Sequence, residues 1–140
     1  MIFVDTSAIY ALANRLDLRH ALATERFRSL LDSGERLLTH SYVLVEAISL
    51  LQRRLGVAAA LTAAEGTDAF EVAWVDRELH AEALRRLAAS AARRVSFVDQ
   101  VSFAAMRRYG VTTALAFDQD FVVEGFRLYG EDRQGDRGQP

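Results

Sequence analysis

Apolar and polar positions in this chain follow two alternating periods. Short β-branched and aromatic runs read as strands: Ile2-Phe3-Val4 up to Asp5, Phe70-Glu71-Val72-Ala73-Trp74-Val75, and Thr113 to Phe117. Arg36-Leu37-Leu38-Thr39 and Phe126-Arg127-Leu128-Tyr129 fit two more. The segments between them carry helical spacing. A short helix starts at Asp5-Thr6-Ser7 and runs to about Ala13. A second spans about 19–33, with Ala21, Phe27, Leu30 and Leu31 on its inner face and Gly34 after its end. A third runs from Ser41 to Leu55, where Gly56 stops it, and the alanine-rich stretch 57–65 makes a fourth. Further helices are predicted over 77–93, 97–109 and 119–124. Strands separated by helices predict a three-layer α/β/α fold with a mostly parallel sheet of about five strands. Neither a linker nor a repeat interrupts the pattern. One domain is therefore expected over residues 1–130, with 131–140 as a polar, disordered tail.

Against this apolar frame, four acids stand out. Asp5 ends the first strand and Asp118 ends the run Ala114-Leu115-Ala116-Phe117. Glu46 and Asp99 sit in mostly apolar helical stretches, Tyr42 to Ile48 and Phe97 to Val101. Ionised carboxylates are seldom buried unless paired or bound to metal. In a parallel sheet with helices on both faces, ligands bind outside the carboxyl ends of the strands, at a switch in strand order. Asp5 and Asp118 lie at such ends, and Glu46 and Asp99 lie early in helices that enter from the same edge. All four are expected to meet on one rim. Local roles compete with this reading. Ser96-Phe97-Val98-Asp99 fits a capping box, and Asp5 or Asp118 could each cap a helix, for only about 1 kcal/mol. Glu46 is the acid that capping does not explain. Asp120 reads as a first-turn helix acid favoured by the dipole, or as a supporting residue at the rim.

Composition narrows the chemistry. The chain has 140 residues, 51% hydrophobic and 26% charged, as in ordinary globular domains. It has no cysteine, which excludes disulfides, zinc-thiolate sites and thiol nucleophiles. Carboxylates without cysteine or a nearby histidine pair suit Mg²⁺ or Mn²⁺ rather than zinc. His20 and His80 read as surface helix residues, whereas His40 lies close enough to Glu46 in sequence to touch the rim. All 17 basic residues are arginine. Lysine-dependent chemistries are therefore excluded, including P-loop phosphate binding and Schiff-base catalysis. A response-regulator receiver also needs a lysine, and a haloacid-dehalogenase-type phosphatase needs an acid where Ser7 stands. The net charge of −2 rules out a generally basic nucleic-acid binder. Arg53-Arg54 and Arg107-Arg108 lie about two turns beyond Glu46 and Asp99, roughly 12–13 Å along each helix, where they are candidates for flanking phosphates of RNA. No apolar run approaches the ~20 residues of a membrane span, and the first strand starts at once, so a cytoplasmic protein is expected.

Four segments make the reading specific. Phe3-Val4-Asp5-Thr6-Ser7-Ala8, Thr39 to Ala47, Ser96 to Ser102 and Ala116-Phe117-Asp118-Gln119-Asp120-Phe121 resemble, in order and spacing, the signature segments of PIN-domain ribonucleases. Within that superfamily the chain is most similar to VapC-type toxins, over nearly all of residues 1–130. The resemblance implies a divalent-metal-dependent endoribonuclease that leaves a 3′-hydroxyl and a 5′-phosphate. It implies that Asp5 and Asp99 bind the metal most directly, with Glu46 and Asp118 completing the site partly through water. It also implies a VapB-like antitoxin partner and a homodimer, with no membrane association. The alanine-rich helix and the helices near Leu30 and Leu50 offer apolar surface for such contacts. One departure is visible. Ala116 stands where the family often has Thr or Ser, leaving Thr6 to supply a hydroxyl beside Asp5. The alternatives are a PIN-like module that binds RNA or a partner without cleaving, and an RNA-processing PIN nuclease outside any toxin system.

Overall fold

The computed structural model describes residues 1–91 and 93–131. Five strands form one parallel sheet: β1 (Ile2–Val4), β2 (Leu37–His40), β3 (Glu71–Ala73), β4 (Thr113–Leu115) and β5 (Arg127–Leu128), in the order β3-β2-β1-β4-β5. The helices are α1 (Thr6–Ala13), α2 (His20–Asp32), α3 (Ser41–Leu55), α4 (Val57–Gly66), α5 (Arg77–Ala89), α6 (Phe97–Tyr109) and α7 (Asp120–Val123). Together they make the expected three-layer α/β/α arrangement. The chain builds outward from β1 through β2 to β3, then returns to add β4 on the other side of β1. The strand order therefore reverses between β1 and β4, where Asp5 and Asp118 emerge.

Residues 2–4 and 37–40 are buried without alternation, as a central parallel strand requires. Phe3, Phe103 and Phe121 fill the middle of the core, with Phe103 meeting Phe121 edge-on at 5.0 Å between centroids. A smaller cluster of Leu79, Ala83, Val101, Ala104 and Ala105 joins α5 to α6. Each large apolar side chain so buried contributes about 1.5–3 kcal/mol.

The helix starts are held by side chains. Asp5 caps α1 by accepting from the Ser7 N–H, Asp76 caps α5 and Ser96 caps α6. His40 caps α3, its Nδ1 accepting from the Val43 N–H at 3.2 Å. That leaves Nε2 to donate to the Ser102 hydroxyl at 2.9 Å, tying β2 to α6. Gly110 closes α6 at φ 66°, a left-handed conformation suited to glycine, and turns the chain into β4.

The end of α5, the end of β3 and the buried face of α2 differ from the sequence expectation. Helix α5 ends at Ala89 rather than 93, because Arg93 leaves the helix to pair with Glu124 and Asp120. Strand β3 stops at Ala73; the N–H of Val75 goes to the Ser41 hydroxyl instead of a strand. In α2 the inward residues are Ala23, Phe27 and Leu30, while Ala21 and Leu31 face solvent. Leu30 is therefore core and offers no surface to a partner. Nearly all of the expected tail lies outside the described residues.

Candidate active site

Elements from four parts of the chain bring carboxylates to the carboxyl edge of the sheet. Asp5 follows β1 and is buried. Its Oδ2 accepts from the Ser7 hydroxyl at 2.7 Å and from the Ser7 N–H at 3.3 Å. Its Oδ1 is buried without a hydrogen-bond partner, and so is the neighbouring Thr6 hydroxyl. Asp99 enters in the first turn of α6, and its N–H is capped by the Ser96 hydroxyl at 3.1 Å. The capping expectation at Asp99 thus holds for its backbone, but its carboxylate turns to the other acids. One oxygen each of Asp99, Asp118 and Asp120 lies within 4.8 Å of the others.

Electrostatics reflect the crowding. Burial, opposed by hydrogen bonds from Ser7 and Thr6, raises the Asp5 carboxyl above the ordinary range, and the charge of Glu46 adds to the rise. Asp99 is pushed up to about 7, first by burial, then by the charges of Asp5, Asp118 and Glu46. Asp99 therefore feels the charges of the other three expected acids. Glu46, however, is exposed, not lodged in an apolar interior. Its helical neighbour Val45 is 63% exposed as well. The apolar stretch around Glu46 does not signal burial, because that part of α3 lies at the edge of the packing, and Glu46 stands at the mouth of the site.

Asp120 does both things expected of it. It opens α7, its N–H donating to Asp118 Oδ1 at 2.9 Å, and its carboxylate joins the cluster. Arg93 contacts it at 3.2 Å and also reaches Glu124 at 3.0 Å. Ser7 has a role that the sequence does not announce. Its hydroxyl donates to Asp5 and accepts from the Phe117 N–H at 3.2 Å, linking the ends of β1 and β4. In the sequence, Asp-Thr-Ser signals only a helix start, so nothing marks that cross-strand role. With Ala116 buried and lacking a hydroxyl, Ser7 supplies the one that joins the two strand ends.

The remaining candidates lie elsewhere. His40 is buried in the core as a cap, and burial pushes its pKa down to about 4. It is a packing residue, stacked on Phe3 at 5.7 Å. His20 and His80 are half-buried, not surface residues; they bond the Ala11 carbonyl and the Tyr42 hydroxyl. Arg107 pairs with Glu124 and Arg108 with Asp76, at the far end of α6 from Asp99. Arg54 lies over the Tyr10 ring at 5.4 Å, and Arg53 is exposed with no ion pair among the described residues.

The donor set fits a hard divalent cation. It offers oxygen alone, carries an uncompensated negative charge, and includes two buried oxygens with no partner in the protein. The PIN-domain family model matches residues 2–123. The chain belongs to the PIN-domain family. This PIN domain is 41% identical over 128 residues to the 23S rRNA-specific endonuclease VapC20 of Mycobacterium tuberculosis, in each of two strains, covering 90% of this chain and 95% of the relative. The crystal structure of that organism's VapC20, described as a Sarcin-Ricin loop cleaving toxin, superposes with a TM-score of 0.81 at 40% identity, over 90% of this chain and 96% of that one. DNA-bound VapBC from Salmonella typhimurium shares the fold, with a TM-score of 0.62 at 18% identity, over 91% of this chain and 97% of that one. No helix among the described residues is long and apolar enough to cross a membrane.

Proposed function

We propose that this PIN domain is a Mg²⁺- or Mn²⁺-dependent endoribonuclease and the toxin of a toxin–antitoxin pair. The observation that carries the reading is the set of carboxylates at the switch point, where the described residues supply no cation to Asp5, Asp99 or Asp118. Asp5 and Asp99 would hold the ion, with Asp118 and Asp120 beside Asp99 and Glu46 at the mouth. A bound divalent ion supplies an activated water and offsets charge on the phosphate undergoing attack. The protein's own part is to hold that arrangement rigid. Ser7 fixes Asp5 against the β4 end, Ser96 fixes the first turn of α6, and Arg93 steadies Asp120.

The relatives are named for cutting 23S rRNA, one of them at the Sarcin-Ricin loop, so an oligonucleotide of that loop is the first substrate to try. The protein should cut it with Mn²⁺ and not with EDTA, and Asp5→Asn or Asp99→Asn should abolish cutting. Equal cleavage by wild type and both variants would sink the proposed site. An antitoxin partner is supported by the solved VapBC fold. A half-open cleft of about 590 Å³ between α1, α2 and α4, lined by Ile9, Leu12, Phe27, Ala63 and Phe70, is the surface we assign to it. The homodimer is a further part of the proposal. Exposed Val45, Leu55, Val57 and Leu61 on α3 and α4 are apolar surface available to a second copy, and sedimentation of the isolated protein tests it.

A further inference from the structure

Five arginines have a carboxylate partner among the described residues. Arg36 pairs with Glu71, Arg108 with Asp76, and Arg86, Arg93 and Arg107 with Glu124. Arg19 and Arg26 instead share one aromatic ring. Their guanidinium carbons lie 5.2 Å and 5.7 Å from the centre of one ring, Phe117, the residue before Asp118. Among the described residues neither has an acidic partner. Arg19 is exposed. Arg26 donates to the Gly130 carbonyl at 3.5 Å, and its buried Nη1 has no hydrogen-bond partner among the described residues. A buried guanidinium N–H without an acceptor is costly to leave unmade. The ring attracts each of the two guanidiniums through its π face.

Position gives the pair its meaning. The Phe117 N–H bonds Ser7, whose hydroxyl holds Asp5, so the ring is anchored to the acid rim itself. Among the described residues, the carboxylates of Asp5, Asp99 and Asp118 and the two guanidiniums on Phe117 have no ion pair with each other. A ligand matching both would carry an anion beside a site for a cation, as a nucleic-acid backbone does next to a metal-bound phosphate. We propose that Arg19 and Arg26, packed on Phe117 beside Asp118, form a phosphate-binding subsite that holds the RNA strand next to the bond being cut. The inference rests on the nuclease reading and extends it to substrate positioning. Arg19 and Arg26 replace Arg107 and Arg108, whose charge is met within the chain, as the residues assigned to a flanking phosphate.

The test is direct binding of a Sarcin-Ricin-loop oligonucleotide across a salt series, read by fluorescence anisotropy in an Asp99→Asn background. Removing one arginine–phosphate interaction reduces the slope of log affinity against log salt by about 0.7–0.9. Arg19→Gln should therefore flatten the slope by nearly one and weaken low-salt binding about five- to tenfold. Arg19→Lys should keep the slope. In the cleaving enzyme Arg19→Gln should raise KM with kcat within about twofold, and leave Mn²⁺ affinity and melting temperature unchanged. Arg26→Gln adds a second loss of slope, with its melting curve recorded because Arg26 also packs on Gly130. If Arg19→Gln and Arg26→Gln both bind RNA with the parent's slope and affinity while wild type cuts normally, the subsite is wrong and the nuclease reading survives. If only association with the antitoxin weakens, the surface belongs to a protein partner and the inference fails. If wild type neither binds nor cuts RNA, both readings fall together.

Discussion

Two acidic centres in this molecule are built from similar residues and treated in opposite ways. At the first, Asp5, Asp99 and Asp118 converge with Glu46 and, among the described residues, have no guanidinium partner, whereas Asp120 at their border has Arg93. At the second, the single carboxylate of Glu124 receives Arg86 at 3.0 Å, Arg93 at 3.0 Å and Arg107 at 3.5 Å. Both centres lie within reach of α6 and α7, and Arg93 bridges them. The difference separates a structural carboxylate from a functional one. A structural carboxylate is neutralised from within, because an unpaired charge there would weaken the fold. The acid rim stays unpaired and strained by mutual repulsion, a cost that makes sense only if a cation arrives from outside.

Substitution at each centre should therefore move activity and stability in opposite senses. The largest effect is expected for Asp99→Asn, with at least a hundredfold loss of RNA cleavage, about the scale for removing one group that stabilises the transition state. Without metal the same variant should melt higher than wild type, since a desolvated charge facing three others is gone. A lower melting temperature would show that the rim is not strained and would break the comparison. Glu124→Gln should do the reverse. It leaves Arg86 and Arg107 without their carboxylate and Arg93 with Asp120 alone, and should cost roughly 1–3 kcal/mol, between the surface and buried values for broken ion pairs. Urea unfolding measures this, and Mn²⁺ affinity should change little.

Metal should erase the difference between the centres. Saturating Mn²⁺, at about a hundred times its dissociation constant, should stabilise wild type by about 2.7 kcal/mol and Asp99→Asn by much less. An unchanged melting temperature on adding Mn²⁺ would count against a preformed site. The effect should depend on pH through Asp99. Its folded pKa of about 7 lies above the unfolded value of 3.8, so the folded protein holds an extra proton between them. Metal-free stability from this group should fall as pH rises through that window. Mn²⁺ must displace the proton, so its affinity should climb about tenfold per pH unit below about 7 and level off above. His40 acts with the opposite sign. Its folded pKa of about 4 lies below the usual 6.5, so its contribution is present above 6.5 and lost as pH falls toward 4. Titrating His40→Asn beside wild type separates the two. The smallest effect is expected for Arg108→Gln. Its pair with Asp76 is largely exposed, so urea unfolding should shift little, and the salt dependence of RNA binding should not change.

Much of the site is legible in the sequence. Asp5 and Asp118 follow apolar strand runs, and a helix start at Ser96 places Asp99 one turn in. Those are local patterns, and a parallel sheet turns them into one rim. Glu46 is less legible, because apolar neighbours in sequence do not show which way a helix faces. The roles of Ser7, Arg93, Arg19 and Arg26 are not legible at all. Each depends on a partner far along the chain, brought near only by the fold.

By itself the sequence determined the alternation of strand and helix, the caps that begin α1 and α6, and the set of acids that reach the carboxyl edge. These follow from periodicity and from residue chemistry within a few positions. Only the tertiary structure decided the strand order β3-β2-β1-β4-β5, which puts Asp5 and Asp118 side by side at the switch point. It alone decided which carboxylates are neutralised and which are left open. Charge compensation is a matter of distance in space, and 17 arginines spread along a chain do not reveal which acid each will meet.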